Sequence, residues 1–307
     1  MEQRTTKRIK TITEFHRSRG LEPPEHPMIS VVDYNAVKRP TDIGEVNWML
    51  DFYMISLKIG INGQLKYGQQ AYDFDEGTMF FIAPKQVFRI EADKHSQTEK
   101  SGWMLLIHPD FLWNTSLAKT IKQYDFFGYS VNEALFLSHK EEKTINGIIE
   151  NIQQEYYATI DKFSQNIIIS HIETLLNYSE RFYERQFITR KITNHKTLDR
   201  LEDILNDYFD NNDLVSKGLP TVQFVANELN VSPNYLSRLL KTLTGQSTQQ
   251  MIHDKLIEKV KEKLSVTDLS VSEIAYELGF EHPQSFTKLF KSKTNLSPVE
   301  FRSSFNT

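Results

Sequence analysis

The spacing of apolar residues changes along the chain, and its first part has the period of β-strands. From Ile29 to about Pro109, apolar and polar residues alternate in short runs, most clearly over residues 53–61, just before the pair Asn62-Gly63. Alternation with period two predicts strands with two different faces, and Asn-Gly is the favoured two-residue hairpin turn. Further strands are predicted at Thr78–Ala83, Val87–Glu91 and Trp103–His108. Short strands at regular spacing predict a small barrel or sandwich.

After Pro109 the spacing becomes that of helices. Apolar residues recur three and four positions apart in Lys143–Tyr157 and in Phe163–Phe187, which predicts two amphipathic helices. Two interpretations stay open: their apolar stripes cover the small β domain, or they form the seam of a homodimer. Before the strands, residues 1–27 are polar and predict a tail or a short helix.

A polar segment separates two expected domains. Residues Arg185–Lys196 are basic and lack a helical period, which predicts a linker. A chain of 307 residues suits two domains, each with its own core. We therefore expect an α+β protein with a β-rich domain at 1–190 and an all-α domain at 191–307, the second opening with a helix over Thr197–Phe209.

The second domain contains two weak copies of one unit, Thr221–Gln246 and Ser270–Leu296, joined by a helix predicted over Thr248–Leu264. Each copy has the pattern of a helix, a tight turn and a second helix, a motif that places its second helix in the major groove of DNA. At 1.5 Å rise per residue the connector spans roughly 25 Å, which suits two grooves ~34 Å apart on one DNA face. One residue is added in the second turn, and the copies share these residues at equivalent positions: Val222 and Val271, Ala226 and Ala275, Glu228 and Glu277, Leu229 and Leu278, Pro233 and Pro283, Leu239 and Leu289, Lys241 and Lys291, and Ser247 and Ser297.

The tight turn of each copy carries a residue suited to a left-handed backbone. This residue is Gly279 in the second copy, and Asn230 stands at the equivalent position of the first. Glycine adopts this conformation at little cost, and asparagine is its usual substitute. We expect both residues to be structural.

Outside its apolar stripe, the second helix of each copy carries polar and basic side chains. Asparagine and glutamine bond adenine, arginine bonds guanine, and hydroxyls bond bases or phosphates. The candidate DNA-binding residues are Asn234, Tyr235, Ser237, Arg238, Lys241, Pro283, Gln284, Ser285, Lys288 and Lys291. An ordinary solvated helix face is the alternative interpretation. The net charge is −4, yet neither Pro233–Leu243 nor Pro283–Lys293 contains an acidic residue, so positive charge is concentrated where phosphate is expected.

The string SVSEIAYELGFEHPQSFTKLFKSKTNLSPVEFR, residues 270–302, contains the elements Ile-Ala, Gly-Phe, aromatic-x-x-x-Phe-Lys and Ser-Pro-x-x-Phe-Arg in order. It resembles the signature of the AraC/XylS family of bacterial transcription regulators, and the resemblance covers residues 197–307 closely. It implies a cupin-like β-barrel with flanking helices that senses and dimerises, followed by two helix-turn-helix motifs joined by a connector helix. It also implies sequence-specific binding to double-stranded DNA, contact with RNA polymerase, a small-molecule effector, and activation of transcription.

The resemblance also assigns unequal roles to the two copies. The family's base-reading positions fall on Asn234, Ser237 and Arg238 in the first copy, and in the second on Pro283, Gln284, Ser285 and Lys288. Pro283 offers only apolar surface, so we expect the first copy to read bases and the second to contribute more anchoring. The chain departs from the family pattern at Leu256, where the connector helix often begins with arginine.

Composition narrows the remaining function classes. The chain has no cysteine, which excludes disulfides, thiolate zinc sites and cysteine nucleophiles. It has no apolar stretch long enough to span a membrane and no secretory signal, so a cytoplasmic protein without a membrane partner is expected.

The β domain carries weaker signals of chemistry. Its candidate ligand-binding residues are Tyr53, Phe88, Arg89, Trp103 and His108, with ordinary core or rim positions as the alternative. His95 and His108 are isolated and no His-x-His occurs, so neither a metal nor another cofactor is expected. Besides a transcription regulator, two functions stay open: a cupin-type enzyme with a DNA-binding appendage, and an architectural DNA-binding protein without an effector.

Overall fold

The computed structural model describes residues 6–38, 47–59, 77–88, 101–129, 133–159, 161–189, 191–210 and 214–304. The chain divides into two compact units, Met1–Gln186 and Phe187–Thr307. The first unit is β-rich and the second is helical, so the expected α+β class is confirmed. The predicted hairpin turn Asn62-Gly63 lies outside the described residues, as do Arg89 and His95.

Two β-sheets form the frame of the first unit. One sheet has the order β1-β3-β6, with β1 parallel to β3, and the other is antiparallel in the order β2-β7-β4-β5-β8. The predicted strands that begin near Tyr53, Thr78, Val87 and Trp103 are confirmed. The strands are β1 (Thr6–Ile9), β2 (Ile29–Asp33), β3 (Asn47–Leu50), β4 (Tyr53–Ile59), β5 (Thr78–Ile82), β6 (Val87–Phe88), β7 (Ser101–Ile107) and β8 (Leu135–Phe136).

An apolar core lies between the two sheets. Met54, Met104 and Leu106, on one face of the larger sheet, are buried together with Trp48 and Phe88 of the smaller sheet. Burial of one face follows from the alternation of side chains along each strand. Within the described residues, no ladder joins the two sheets into one closed sheet. The cupin-like barrel therefore stays a prediction, and the described strands form a two-layer arrangement.

Helices cover the other face of the larger sheet. They include α3 (His139–Tyr157) and α4 (Ser164–Thr189), which follow the short helices α1 (Ile12–Ser18) and α2 (Leu117–Thr120). Asn146 of α3 accepts a hydrogen bond from the Trp103 indole at 2.9 Å. The apolar stripes of both helices are buried, as at Ile149 and Leu175. The stripes thus cover the β domain, which is the first of the two interpretations left open by the sequence.

The second unit is a bundle of short helices around one core. Buried residues of every part of the unit belong to a single cluster, including Val225, Leu236, Val260, Ile274 and Phe286. The helices are α5 (Lys191–Asp210), α6 (Leu214–Lys217), α7 (Val222–Glu228), α8 (Pro233–Thr244), α9 (Thr248–Val266), α10 (Val271–Glu277), α11 (Pro283–Thr294) and α12 (Pro298–Ser303).

The segment Arg185–Lys196, which the sequence predicts as a linker, contains the boundary between the two units, but it is helical up to Thr189 and again from Lys191. Helix α4 continues to Thr189, and α5 begins at Lys191 rather than at the predicted Thr197. The unit boundary falls inside α4, between Gln186 and Phe187. Gln186 is tied to β8, because it accepts from the Phe136 amide at 2.8 Å. A polar sequence without an apolar stripe can thus be helical when tertiary contacts fix it.

In the described part of the chain, no helix is long and apolar enough to cross a membrane.

Candidate nucleic-acid interface

The two repeated units fold into two helix pairs with the same turn. The first helix pair is α7 and α8, and the second is α10 and α11. In the first, the Val231 amide donates to the Ala226 carbonyl at 2.9 Å; in the second, Phe280 donates to Ala275 at 3.0 Å. Asn230 and Gly279 have φ values of 56° and 78°. The predicted left-handed residue in each turn is therefore confirmed.

The structural repeat extends beyond the second helix of each pair. Helix α8 ends at Gly245 with φ 75°, and α11 ends at Asn295 with φ 61°. Two residues later, Ser247 and Ser297 each begin the next helix with a capping box, formed with Gln250 and Glu300. The capping-box spacing was visible in the sequence as Ser-x-x-Gln and Ser-x-x-Glu. The duplicated unit therefore includes the start of α9 in one copy and of α12 in the other.

The two pairs differ at the start of their second helix. Ser232 caps α8, since its side chain accepts from the Tyr235 amide at 3.2 Å. His282 stands at the equivalent position before α11 and makes no side-chain cap hydrogen bond. Both helices have proline as their first residue, which fits the first turn because its amide proton is not needed there.

Several candidates on α8 contact other parts of the same unit. Asn234 and Lys241 are exposed, but Tyr235, Ser237 and Arg238 are half-buried. The ring of Tyr235 packs edge-on against Phe187, the first residue of the second unit, with 5.2 Å between ring centroids. Ser237 shares a hydrogen bond of 3.3 Å with Thr248 of α9. Part of this face is therefore held by intramolecular contacts.

The candidates on α11 are more open to solvent. Gln284, Ser285, Lys288 and Lys291 are exposed, and Pro283 is half-buried. Lys293 is also a basic residue of α11, but its ammonium group donates a hydrogen bond to Asp254 Oδ1 at 2.7 Å. The structure thus places a polar and basic surface along the length of α11.

Acidic residues around the two helix pairs are matched by lysines of the connector α9. Lys259 donates to Asp210 at 2.7 Å, and Lys263 donates to Glu277 at 2.7 Å. The hydrogen bond that Lys259 donates to Asp210 raises the pKa of Lys259 above its usual value, and the neighbouring Glu262 adds to this effect. These pairings offset the acids near the helix pairs, while α8 and α11 contain no acidic residue.

One titratable group on the connector is shifted in the opposite sense. Burial lowers the pKa of His253, the positive charge of Lys293 lowers it further, and Asp254 opposes both. The neutral imidazole is therefore favoured beside the end of α11.

The candidate ligand-binding residues of the first unit that the structure describes lie on both faces of the larger sheet and at its end. Tyr53 and Trp103 lie on the helix-covered face of the larger sheet, where Tyr53 contacts Phe127. Phe88 is buried in the core between the sheets, and His108 follows the end of β7. Tyr53 and Trp103 thus share one face, and a ligand-binding role for the candidate residues stays a prediction.

A small cavity lies elsewhere in the first unit, and sequence reasoning missed its residues. Its aromatic lining is continuous, with Phe81, Phe126 and Tyr183 in mutual ring contact. The lining consists of Phe80, Phe81, Ile82, Phe126, Tyr129, Glu133, Ala134 and Tyr183. The run Phe126-Phe127 followed by Tyr129 was the available signal. In the part of the chain that the structure describes, no group of three His, Asp or Glu side chains is placed to hold a metal ion.

Comparison with known proteins gives one family match. A family model described as "Helix-turn-helix domain" matches residues 225–304. The match covers most of the first helix pair, the connector and the whole second pair. It does not extend into the first unit.

Two relatives of the chain are named as regulators of transcription. The chain is 26% identical over 262 residues to "Uncharacterized HTH-type transcriptional regulator YfiF" of Bacillus subtilis (strain 168), an alignment covering 82% of this chain and 77% of that protein. It is 33% identical over 84 residues to "Raffinose operon transcriptional regulatory protein RafR" of Pediococcus pentosaceus, covering 27% of this chain and 30% of RafR.

One solved structure matches part of the chain. It is "The C-terminal domain of AraT, a response regulator from Geobacillus stearothermophilus", 31% identical in sequence, with a TM-score of 0.31. The match covers 35% of this chain and 84% of that chain.

Proposed function

We propose that this chain, whose residues 225–304 form a helix-turn-helix domain of the AraC type, acts on promoter DNA through two adjacent major grooves per protomer. The chain is a DNA-binding transcriptional regulator of that type, as its relatives are named. Both helix pairs are proposed as helix-turn-helix units, with α8 and α11 as the helices that enter the grooves. Activation of transcription, through contact with RNA polymerase, is proposed as its effect.

The observation that carries the proposal is the shared framework of two helix pairs whose second helices differ in side chains. The turn hydrogen bonds and the left-handed turn residues coincide, and the second turn has one extra residue before its second helix. The connector α9 has 19 residues and is therefore roughly 28 Å long, close to one turn of DNA. Exposed amides and lysines lie on both helices, as Asn234 and Gln284 show.

Footprinting of the full chain on sites selected from random DNA tests the two-groove proposal. We expect protection of two major-groove segments on one DNA face, about one helical turn apart. Binding should weaken steeply with salt, because lysine and arginine displace counterions from phosphates. Protection of a single groove, or affinity independent of salt, would contradict the proposal.

Variants of the two exposed amides assign each helix to its groove. Asn234→Ala should relax base preference in one protected segment and Gln284→Ala in the other, each by roughly 1–3 kcal/mol at the contacted base pair. Lys140→Ala, an exposed residue of α3 in the first unit, is the control and should change neither segment. An effect of both amide variants on the same segment would exclude the assignment.

A homodimer is proposed through the first unit. Apolar side chains are exposed where α4 begins, and they include Phe163 at 55% and Ile167 at 41% exposure. Trp113, exposed at 73%, belongs to the segment that α4 contacts, because Gln165 donates to the Phe111 carbonyl at 2.7 Å. Exposed apolar residues grouped in this way are typical of protein interfaces.

Sedimentation of the full chain tests the dimer. Phe163→Glu should shift the chain towards monomer, since a carboxylate would be buried without a partner in the seam. Asn151→Glu, at an exposed polar position of α3 away from the exposed apolar group, adds the same charge and should leave the dimer in place. A monomer in the unchanged protein at high concentration would exclude this proposal.

Sensing and activation complete the proposed function. The first unit is proposed to respond to a small-molecule effector, and the cavity at Phe81, Phe126 and Tyr183, which has room for about one water molecule, is too small to hold it as it stands. Transcription in vitro from a footprinted promoter with purified RNA polymerase tests the sign of regulation. More transcript with the protein supports activation, and less transcript identifies a repressor.

A further inference from the structure

One carboxylate is bonded to side chains from both helix pairs. Asp254 lies on the connector α9, seven positions after the helix-capping Ser247. Gln246, in the turn that follows α8, donates its side-chain amide to Asp254 Oδ2 at 3.0 Å. Lys293, in the last turn of α11, donates its ammonium group to Asp254 Oδ1 at 2.7 Å. Each carboxylate oxygen of Asp254 therefore accepts a hydrogen bond from a different one of the two repeated units.

These two bonds resist a movement that the apolar core tolerates more easily. The core is shared by both pairs, and its contacts are non-directional. Hydrogen bonds to a carboxylate depend on distance and angle, so sliding α11 along α9 breaks the Lys293 bond first. Because Gln246 lies just after α8 and Lys293 lies in the last turn of α11, the bonds act on the spacing of the two helices that are proposed to enter DNA.

The same contacts contribute little to overall stability. The side chains of Asp254 and Lys293 are 40% and 29% exposed, and solvent-exposed ion pairs are weak because water screens them. A variant at this position should therefore fold normally. Its effect on DNA binding is then not obscured by unfolding.

We propose that Asp254 is a positioning residue that holds α8 and α11 at one spacing, so that the protein prefers DNA with a fixed number of base pairs between its two subsites. The proposal rests on the proposed two-groove function. Lys293, held by Asp254, stabilises this spacing rather than contacting a phosphate. Spacing preference is thus set partly by a residue that touches no DNA.

Binding of the full chain to DNA sites of different spacing tests the role of Asp254. The selected site is compared with the same site carrying one extra base pair between its protected segments. The ratio of the two Kd values measures spacing discrimination. In Asp254→Ala this ratio should fall about three-fold, which is the size of effect expected for breaking an exposed ion pair. Asp254→Asn, which keeps the side-chain volume, should show a smaller fall.

Glu258→Ala is the matched control. Glu258 lies one turn further along α9 and pairs with Lys255 of the same helix at 3.2 Å, so it connects no second element. Its removal changes the net charge of α9 as much as Asp254→Ala does, and the ratio should keep its original value. Lys293→Gln should reproduce the loss of discrimination.

Two results overturn different statements. If the unchanged protein protects two segments and Asp254→Ala keeps the full ratio, the positioning role is excluded while the proposed function stands. If the unchanged protein protects no two-part site, the proposed function itself fails, and the positioning role fails with it.

Discussion

The two helix pairs have similar backbones, and they differ in the side chains of their second helix. Their turns have the same hydrogen bonds, and each following helix begins with a capping box. On α8, Tyr235 packs against Phe187 and Ser237 bonds Thr248. On α11, Ser285, equivalent to Tyr235, is exposed. The two copies thus share the turn and capping features on either side of the second helix, while the side chains of that helix differ.

This contrast qualifies the unequal roles expected from the sequence. Asn234, Ser237 and Arg238 were expected to make the first pair the better base reader. The structure gives Ser237 and Arg238 a half-buried setting, whereas Gln284 and Lys288 of the second pair are exposed. The roles of the two pairs stay a prediction, and substitutions at equivalent positions distinguish them.

The largest expected difference lies in the turns. Gly279→Ala should lower the free energy of unfolding by about 3 kcal/mol, because the left-handed backbone disfavours a side chain and a clash is added to it. A Cβ atom there would lie 2.5 Å from the Leu214 carbonyl oxygen. Asn230→Ala should cost less, about 1 kcal/mol, since Asn230 already carries a Cβ atom and the substitution adds no atom there. Urea unfolding of both variants measures this. Equal losses would show that the turns are energetically alike.

The next largest effect concerns the equivalent cations Arg238 and Lys288. Arg238→Ala should weaken DNA binding by roughly 1–3 kcal/mol and relax preference at one base pair, because guanidinium groups read guanine. Lys288→Ala should weaken all sites alike and reduce the salt dependence by about one counterion, as for a phosphate contact. Titrations at several salt concentrations on matched and mismatched sites measure both. The reverse result would make the second pair the base reader.

The helix caps give a smaller contrast. Ser232→Ala should cost about 1 kcal/mol of stability, because the Tyr235 amide loses its acceptor. His282→Ala should change stability by less than about 0.5 kcal/mol, since His282 makes no cap hydrogen bond to lose. His282→Ser is expected to stabilise the second pair. Thermal unfolding measures all three, and a loss at His282 as large as at Ser232 would contradict the contrast.

The smallest expected effect is the pH response of His253, beside the end of α11. Its pKa is lowered in the folded protein, mainly by burial and then by Lys293. The unfolded chain therefore binds a proton at His253 more readily than the folded protein does. The stability that comes from keeping His253 neutral is fully present above about pH 6.5 and is lost as the pH falls below that value. When the pH falls from about 7.5 to 5.5, the free energy of unfolding of His253→Gln should fall by roughly a few tenths of a kcal/mol less than that of the unchanged protein. Identical pH profiles would exclude the effect.

Local signals in the sequence predicted the framework of the second unit. Gly279 and Asn230 marked the left-handed turns because few residues tolerate that backbone. Strand positions around Tyr53 and Trp103 followed from the period of two. Strand β1 was missed, because its residues are mostly polar and its partner β3 lies far along the chain.

Features set by long-range contacts were beyond local patterns. The helix around residues 185–189 has no apolar period, and its Arg185 is fixed by a two-pronged contact with Glu141, at 3.0 and 2.8 Å. No local pattern in the sequence distinguishes Asp254 from the other acidic residues of the connector helix. Only the fold brings Gln246 and Lys293 to its two oxygens.

The single apolar core of the second unit makes folding of the two helix pairs cooperative. Val225 and Leu236 of the first pair, Val260 of the connector, and Ile274 and Phe286 of the second belong to one cluster. Neither pair retains a complete set of packing partners if the other unfolds. A change confined to one turn, such as a substitution of Gly279, therefore lowers the population of the whole folded unit, so that both helix pairs are lost together.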